Sequence, residues 1–290
     1  MQQAIDKAAS LVEAHAYIRQ FAGRAVVVKI GGSIMDEPEA LASLVQDVCF
    51  MASVGMRPIV VHGGGKAIKA AMTQAGLQAQ FVQGRRYTDE RTLAIAEHVL
   101  VNQINAELVK TVERFGSVGM GLHSLASCVV FGKVLKLEGE GGRQIDIGMV
   151  GEVDWVNAAL VRAVVESGAV PVIAPIARDK AGGKLNINAD SVAGHVAAAV
   201  GAEKLVLVSD THGIRRSENV DDLASHLTRA EIDGLIEQGI IQAGMLPKVE
   251  ASLTAVGSGV KKAHIIDGRI PHSLLLEVYT DQGIGTEIVL

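Results

Sequence analysis

Two short apolar runs that end in glycines constrain the fold of this chain most strongly. The runs 25–30 and 57–62 lead into the glycines 31–32 and 63–65, and a helical pattern follows each. A strand, a glycine turn and a helix N-terminus together favour an anion, because free N–H groups and the helix dipole point at it and glycine allows close approach. The sequence therefore predicts two anion-binding units. Lys29 is the cation at the end of the first strand, and phosphate is the leading ligand.

Composition excludes several classes of function. The 290 residues carry a net charge of −5, and 3% of them are aromatic. Such a chain lacks the basic field and the stacking platforms of nucleic-acid binders, so we expect no nucleic-acid or membrane partner. Cys49 and Cys128 show no CxxC or metal spacing, which indicates reduced thiols of a cytoplasmic protein. The sequence shows neither a signal-like segment nor an apolar run of membrane-spanning length, so we expect neither secretion nor insertion.

Apolar strands alternate with helical patterns along the chain. We predict strands at 25–30, 57–61, 128–131, 170–174, 204–209 and 264–266. We predict helices at 37–54, 65–76, 89–115, 156–167, 190–201, 229–238, 248–257 and 272–279. This alternation is typical of an α/β fold with a largely parallel sheet covered on both faces, whose ligands bind at the carboxyl ends of the strands. The segment 132–153 is rich in glycine and charge and is predicted to be a hairpin or loop excursion.

An amphipathic helix precedes the first strand. Its apolar stripe consists of Ala4, Ala8, Leu11, Val12 and Ile18, with polar residues on the opposite face. That spacing predicts a helix over residues 4–18. The pattern leaves open whether this helix docks on its own domain or on another subunit.

Three further motifs place polar groups at expected helix starts, and each has an ordinary structural alternative. Arg85 and Arg86 either grip a carboxylate or are simply solvated. Asp190 either caps a helix of small residues or orients lysines in an anion site. Lys248 follows Pro247 at a helix start and is a solvated lysine unless it faces Lys29 across a phosphate. No Walker A loop, dinucleotide fingerprint, nucleophilic triad or metal-ligand cluster stands out, so no protein-bound metal is expected.

Taken in order, eight segments resemble the amino-acid kinase family over nearly the whole chain. They are residues 29–33, 61–65, 84–89, 146–153, 171–176, 186–190, 244–249 and 267–272. The resemblance implies a three-layer αβα sandwich with a largely parallel, open central sheet. It is strongest to members that phosphorylate N-acetyl-L-glutamate with ATP and Mg²⁺ on the side-chain carboxylate, the second step of arginine biosynthesis.

The resemblance also implies a role for each matching residue. Lys29 and Lys248 match the lysines that stabilise the transferring phosphoryl group, and Asp190 matches the aspartate that orients both. The remaining matches are Gly31 and Gly32 for phosphate, Gly64, Gly65, Arg86 and Asn186 for substrate, and Ser209 and Asp210 on the nucleotide side.

Two further parts of the chain resemble hexameric, arginine-inhibited members. Residues 1–20 are similar to the helix that interlaces dimers, and His272, Glu277 and Gly285 are similar to their arginine site. This implies a trimer of dimers inhibited by L-arginine. It also implies a kinase domain over residues 21–290, with an acyl-amino-acid lobe at about 21–190 and a nucleotide lobe at about 191–290.

Two loops depart from the family pattern. Residues 120–127 replace a Leu-Ser-Gly-Lys-Asp-Gly-like run, and residues 209–213 differ from a Thr-Asp-Val-x-Gly-like run. Two alternatives therefore stay open, namely a kinase for another acylated amino acid and a catalytically silent, arginine-binding regulatory module. ATP-dependent turnover discriminates between them.

Overall fold

An eight-stranded, largely parallel sheet forms the centre of the molecule. The computed structural model describes residues 1–219, 222–242, 244–279 and 283–290, apart from the side chains at positions 4, 7, 10, 11, 13 and 140. The helices are α1 Gln2–Phe21, α2 Gly32–Met35, α3 Pro38–Ser53, α4 Gly65–Gln74, α5 Glu90–Glu97, α6 Ala106–Arg114, α7 Ala158–Glu166, α8 Ala189–Val200, α9 Arg229–Glu237, α10 Leu246–Gly257 and α11 Ser273–Tyr279. A π-helical segment, His98–Asn105, joins α5 to α6.

The strands are β1 Ala25–Ile30, β2 Arg57–His62, β3 Phe81–Val82, β4 Arg85–Arg86, β5 Gly119–Leu122, β6 Val130–Val134, β7 Leu137–Glu138, β8 Gln144–Ile145, β9 Val150–Val156, β10 Val170–Ile173, β11 Ile176–Arg178, β12 Lys184–Ile187, β13 Lys204–Ser209, β14 His226–Thr228, β15 Lys262–Asp267 and β16 Thr286–Val289. The order in the main sheet is β14-β16-β15-β13-β1-β2-β10-β5. Only β15 and β16 pair antiparallel in it among the described residues.

Both faces of this sheet are buried. Val27 and Ile59 belong to the core on one face, and Val26, Val28 and Val60 belong to the core on the other. Strands with two covered faces need apolar residues at almost every position, which explains the continuous apolar runs. The predicted α/β fold with helices on both faces of a parallel sheet is confirmed.

A small closed barrel of four strands, β6, β9, β11 and β12, lies beside the main sheet. The predicted excursion at 132–153 is the β6–β9 hairpin, extended by the antiparallel pair β7–β8. The barrel supplies Val150, Asn186 and Ile187 to a cavity at the edge of the main sheet. The excursion therefore serves to wall one side of the candidate site.

Seven strands in the described part of the chain escaped the sequence prediction, namely β3, β4, β5, β11, β12, β14 and β16. Strand β5 contains two glycines and no β-branched residue, and its extended conformation depends on pairing with β10. Strand β16 pairs with β15 and lies far from it in sequence. Such pairing partners are tertiary and leave no local periodicity to detect.

Among the described side chains of α1, those that pack on the core lie near its C-terminal end. Phe21 is buried, and Tyr17 stacks edge-to-face on Tyr279 with 6.5 Å between ring centroids. Nearer the N-terminus, the side chains of Ile5 and Val12 are 52% and 75% exposed. The predicted helix is present. Ala4 and Leu11 belong to its predicted apolar stripe, and their side chains are not among those that the structure describes. No helix in the described part of the chain has the length and apolar composition required to cross a bilayer.

Candidate active site

A cavity of about 250 Å³ opens at the carboxyl ends of β1 and β2. The parallel register sets Ile30 beside His62 on one side and beside Val208 on the other, so the turns after these strands meet at one sheet edge. The lining includes Lys29, Gly32, Gly63, Gly64, Gly65, Arg86, Asn186 and Asp190. The structure thus brings together most of the residues predicted to hold phosphate and substrate.

A buried ion pair lies at the base of this cavity. Lys29 Nζ is 2.8 Å from Asp190 Oδ1, and both residues are 6% exposed. Asn188, not Asp190, caps helix α8, because its side-chain oxygen accepts from the N–H groups of Asp190 and Ser191. The Asp190 carboxylate is therefore available to Lys29, and the alternative of a simple N-cap does not apply to it.

Lys248 belongs to the same electrostatic group. It is half-buried at the start of α10, and its Nζ donates to the Gly244 carbonyl at 3.2 Å. Burial lowers the pKa of Lys248; Asp190 and Asp210 oppose this, and Lys29 adds to it. Two lysines that interact with each other and with one carboxylate form a site suited to several negative charges on one ligand.

The glycine turns supply N–H groups beside the ion pair. An atom at the Cβ position of Gly32 would lie 3.5 Å from the Gly65 nitrogen and 3.7 Å from the Gly64 nitrogen. The structure corrects the role expected of Gly31, because its N–H donates to the Val208 carbonyl at 3.0 Å. A Cβ at Gly31 would also lie 2.9 Å from that oxygen, so this glycine serves close packing of the turn.

Arg86 and Asn186 lie on another wall of the cavity. Arg86 stacks over Phe81 at 4.9 Å from the ring centroid, and it donates to the Gly65 carbonyl at 2.9 Å. Burial lowers the pKa of Arg86. The Asn186 amide donates to Thr88 Oγ1 at 3.3 Å. A guanidinium and an amide fixed in this way form a recognition surface for a carboxylate and an amide group.

A second cavity, of about 680 Å³, is lined by residues at the ends of β13 and β15, including Asp210, Gly213 and Arg269. Ser209 ends β13 and is buried, and its hydroxyl donates to Asp210 at 3.3 Å. Asp267 is buried beside Arg269 and His212. This volume lies in the range of small-molecule and cofactor sites.

A third cavity, of about 510 Å³, lies where β13 and β15 begin, beside the last turn of α1. Glu277 and Gly285 line it, as the sequence predicts. Burial raises the pKa of Glu277, but hydrogen bonds from His264 and from the Ile284 and Gly285 N–H groups outweigh it and lower the pKa overall.

His272 does not reach this third cavity, which corrects the sequence prediction. Its N–H donates to Ser43 Oγ at 2.9 Å and its Nδ1 lies 2.6 Å from Asp47, so it faces α3 instead. His264 and Lys204, which the sequence reading missed, line the cavity in its place. The sequence signal that could have indicated them is a polar residue in an otherwise apolar strand, at the start of β13 for Lys204 and inside β15 for His264.

No group of three or more His, Cys, Asp or Glu in the described part of the chain is arranged to hold a metal ion. The charged residues that line the first cavity are Lys29, Arg85, Arg86 and Asp190. This set suits a ligand that brings several negative charges of its own.

The fold and the site describe an open-sheet α/β protein with a cationic, glycine-lined cavity at the carboxyl ends of its parallel strands. The chain belongs to the amino acid kinase family, whose model matches residues 24–267. It is 46% identical over 281 residues to the acetylglutamate kinase of Methanothrix thermoacetophila, covering 96% of each chain. It is 45% identical over 290 residues to that of Symbiobacterium thermophilum, covering 99% of each.

Solved structures share the fold at lower identity. One is the N-acetylglutamate synthase from Neisseria gonorrhoeae complexed with coenzyme A and N-acetyl-glutamate, with a TM-score of 0.86 and 24% identity. The match covers 98% of this chain and 63% of that one. An isopentenyl phosphate kinase matches with a TM-score of 0.63 and 18% identity, over 91% of this chain and all of the other.

Proposed function

We propose that the protein transfers the γ-phosphoryl group of ATP to the side-chain carboxylate of N-acetyl-L-glutamate. The products are N-acetyl-L-glutamyl 5-phosphate and ADP, and the reaction is the second step of arginine biosynthesis in the cytoplasm. The observation that carries the proposal is the group of Lys29, Asp190 and Lys248 beside the glycine N–H groups. The names of the relatives support the choice of substrate.

The chemistry needs positioning more than proton transfer. A carboxylate oxygen attacks the γ-phosphorus, the new O–P bond forms, and the bond to the β-phosphate oxygen breaks to release ADP. The carboxylate is already a nucleophile, so no general base is required. Lys29 and Lys248 would stabilise charge on the transferring group, and Asp190 would orient both lysines. Gly32, Gly64 and Gly65 would add N–H donors in the same cavity.

The two cavities are lined by different parts of the chain. The described lining of the smaller cavity falls within residues 29–190, and that of the larger one within residues 210–269. This division supports an acyl-amino-acid lobe at about 21–190 and a nucleotide lobe at about 191–290. Arg86 and Asn186 would hold the carboxylate and amide of N-acetylglutamate, whereas Ser209 and Asp210 would lie on the nucleotide side. Mg²⁺ would arrive on the ATP phosphates, which are oxygen ligands that it prefers.

Hydroxylamine trapping of the acyl phosphate tests the proposal. Wild-type protein with Mg·ATP and N-acetyl-L-glutamate is expected to yield the hydroxamate, and omission of either substrate is expected to abolish it. A folded protein that forms hydroxamate only with another acylated amino acid would replace the substrate. Absence of any ATP-dependent product would favour the regulatory module.

Inhibition by L-arginine belongs to the same proposal. The third cavity has the acidic Glu277 and Glu287 beside the basic Lys204 and Lys262, a charge pattern that suits an amino acid with a cationic side chain. The exposed apolar side chains Ile5 and Val12 of α1, whose C-terminal part lines this cavity, support interlaced dimers in a hexamer. Loss of hydroxamate on adding L-arginine, together with its persistence in Glu277→Ala, is the expected result.

A further inference from the structure

The ring of His62 is fully buried beneath the second glycine turn. Its Nδ1 lies 3.0 Å from the Gly63 carbonyl, and a carbonyl only accepts hydrogen bonds, so Nδ1 carries the proton. Its Nε2 lies 3.1 Å from Asn105 Nδ2, which must be a donor because it also donates to the Val172 carbonyl at 2.9 Å. These contacts specify one neutral tautomer. Burial lowers the pKa of His62 to about 4, in agreement with a neutral ring.

Asn105 reaches this ring because of the π-helical segment. It is the last residue of His98–Asn105 and is 2% exposed. Wide helical turns of this kind are rare and occur frequently at functional sites. A Cβ at Gly121 would lie 2.5 Å from Asn105 Oδ1, so β5 leaves room for this side chain by having a glycine there. The same segment packs Leu100 and Ile104 against Gly64.

The hydrogen bond to the Gly63 carbonyl fixes the orientation of a whole peptide group. The C=O and N–H of a trans peptide point in opposite directions, and the described chain has no cis peptide bond. When the Gly63 carbonyl points inward to His62, the Gly64 N–H points outward. It lies beside Gly32 and Gly65 in the first cavity. No described protein acceptor pairs with this N–H.

We propose that Asn105 and His62 are positioning residues, which hold the Gly63–Gly64 peptide so that the Gly64 N–H faces the anion in the first cavity. The inference rests on the proposed function, in which that anion is the reacting carboxylate and phosphoryl group. A preorganised N–H donor aimed at developing charge contributes to kcat because it needs no reorganisation during the reaction. Neither residue touches the substrate. Asn105 acts through His62, and His62 acts through the Gly63–Gly64 peptide.

Paired variants separate positioning from packing. In His62→Asn the amide nitrogen occupies nearly the place of Nδ1 and keeps a donor for the Gly63 carbonyl, whereas His62→Leu has none. We expect kcat per folded enzyme to fall roughly a hundredfold in His62→Leu but by no more than about tenfold in His62→Asn. The KM for ATP is expected to stay within about twofold of the wild-type value in both variants. Equal kcat in the two variants would overturn the inference.

Asn105→Leu removes the other end of the chain of hydrogen bonds. The matched control is Asn102→Leu, which makes the same change on an exposed position of the same π-helical segment. We expect kcat to fall about tenfold in the first variant and to stay within twofold in the second. Gly121→Ala, which displaces Asn105 without removing it, is expected to resemble Asn105→Leu. A wild-type kcat in folded Asn105→Leu would contradict the inference.

A readout without turnover separates this inference from the proposed function. Nitrogen NMR of ¹⁵N-histidine-labelled protein is expected to show His62 protonated at Nδ1 alone in the wild type. Asn105→Leu is expected to lose this single tautomer, and Asn102→Leu to keep it. This pattern supports the hydrogen-bond chain from Asn105 through His62 even if wild-type protein forms no hydroxamate, in which case the proposed function alone fails. A wild-type His62 ring protonated at Nε2 instead would overturn the inference, whether or not the protein is active.

Discussion

At the scale of single residues, the start of α8 shows how two neighbouring polar side chains take different tasks. Asn188 satisfies the free N–H groups of the helix end, and Asp190 pairs with Lys29. Because the cap is provided separately, the carboxylate can face the cavity without loss to the helix. This arrangement makes the consequences of losing either side chain distinguishable.

Asp190→Ala is expected to lower the free energy of unfolding by about 3–5 kcal/mol, because it leaves Lys29 buried without its partner. Asn188→Ala, the matched control, removes only the cap and is expected to cost about 1 kcal/mol. Urea unfolding of both variants measures the difference. Similar losses in the two would mean that the ion pair contributes little to stability.

Lys248→Ala is expected to reduce turnover by at least about a hundredfold, since it removes one of the two cations that would face the phosphoryl group. Its fold should change little, because Lys248 is half-buried and, among the described residues, its Nζ donates to the nearby Gly244 carbonyl alone. Hydroxamate rate and thermal melting are the measurements. A rate equal to that of wild type would exclude Lys248 from the mechanism.

Acid is expected to destabilise the protein partly through His62. Its pKa is about 4 in the folded protein, against an ordinary value of 6.5, so the unfolded chain binds more protons between these values. The contribution is complete above pH 6.5 and is lost as the pH falls through 4, and it amounts to about 3 kcal/mol. Urea unfolding at pH 7, 5.5 and 4 should show a smaller decline in His62→Asn, with exposed His15→Asn as control. An unchanged decline would contradict the assignment.

Sequence reasoning found the charged residues of the site but not the partners that orient them. Lys29, Asp190 and Lys248 stand at recognisable strand and helix ends, whereas the ion pair joins β1 to α8 through the tertiary fold. His62 and Asn105 were missed because they lie 43 residues apart and only the tertiary fold brings their side chains into contact. His272 was predicted from the resemblance of the C-terminal stretch to an arginine site, whereas the sheet brings His264 into contact with Glu277 instead.

At the scale of elements, the packing of α8 on α10 sets the spacing of the site. Asp190 and Lys248 lie at the starts of these two helices. A Cβ at Gly194 would lie 2.6 Å from the Ala251 carbonyl, so the backbones approach as closely as glycine allows. The helices and most central strands could be predicted from periodicity. This contact could not, because a helical glycine has no local signature of what it packs against.

Gly194→Ala is therefore expected to push α10 away from α8, at a cost of about 1–3 kcal/mol in unfolding free energy. Turnover should fall as well, because Lys248 moves relative to Asp190. Gly234→Ala in α9 is the control, since no atom lies within 4 Å of its Cβ position, and it should stabilise by roughly 0.5–1 kcal/mol. Chemical denaturation and hydroxamate assays test both variants. An active, stable Gly194→Ala would show that the helices tolerate a wider spacing.

At the scale of the whole molecule, α1 stands out because its apolar side chains Ile5 and Val12 are exposed and are not covered by its own chain. Deleting residues 1–20 is expected to reduce a hexamer to dimers and to weaken arginine inhibition, while the kinase activity of the dimer persists. Light scattering and the hydroxamate assay with arginine are the measurements. Phe21 remains in the truncated chain, so the core beneath it is retained. A hexamer of unchanged mass after deletion would rule out α1 as the link between dimers.

Strands β13 and β15 have one further consequence for the molecule. Lys204 and His264 lie near their beginnings in the third cavity, and Asp210 and Arg269 follow their ends in the second cavity. A ligand in either cavity therefore contacts residues at one end of the same two hydrogen-bonded strands. If their position differs between two states, linkage requires reciprocity: the factor by which arginine weakens nucleotide binding must equal the factor by which nucleotide weakens arginine binding. The two paired strands would then couple inhibitor binding and nucleotide binding in one equilibrium.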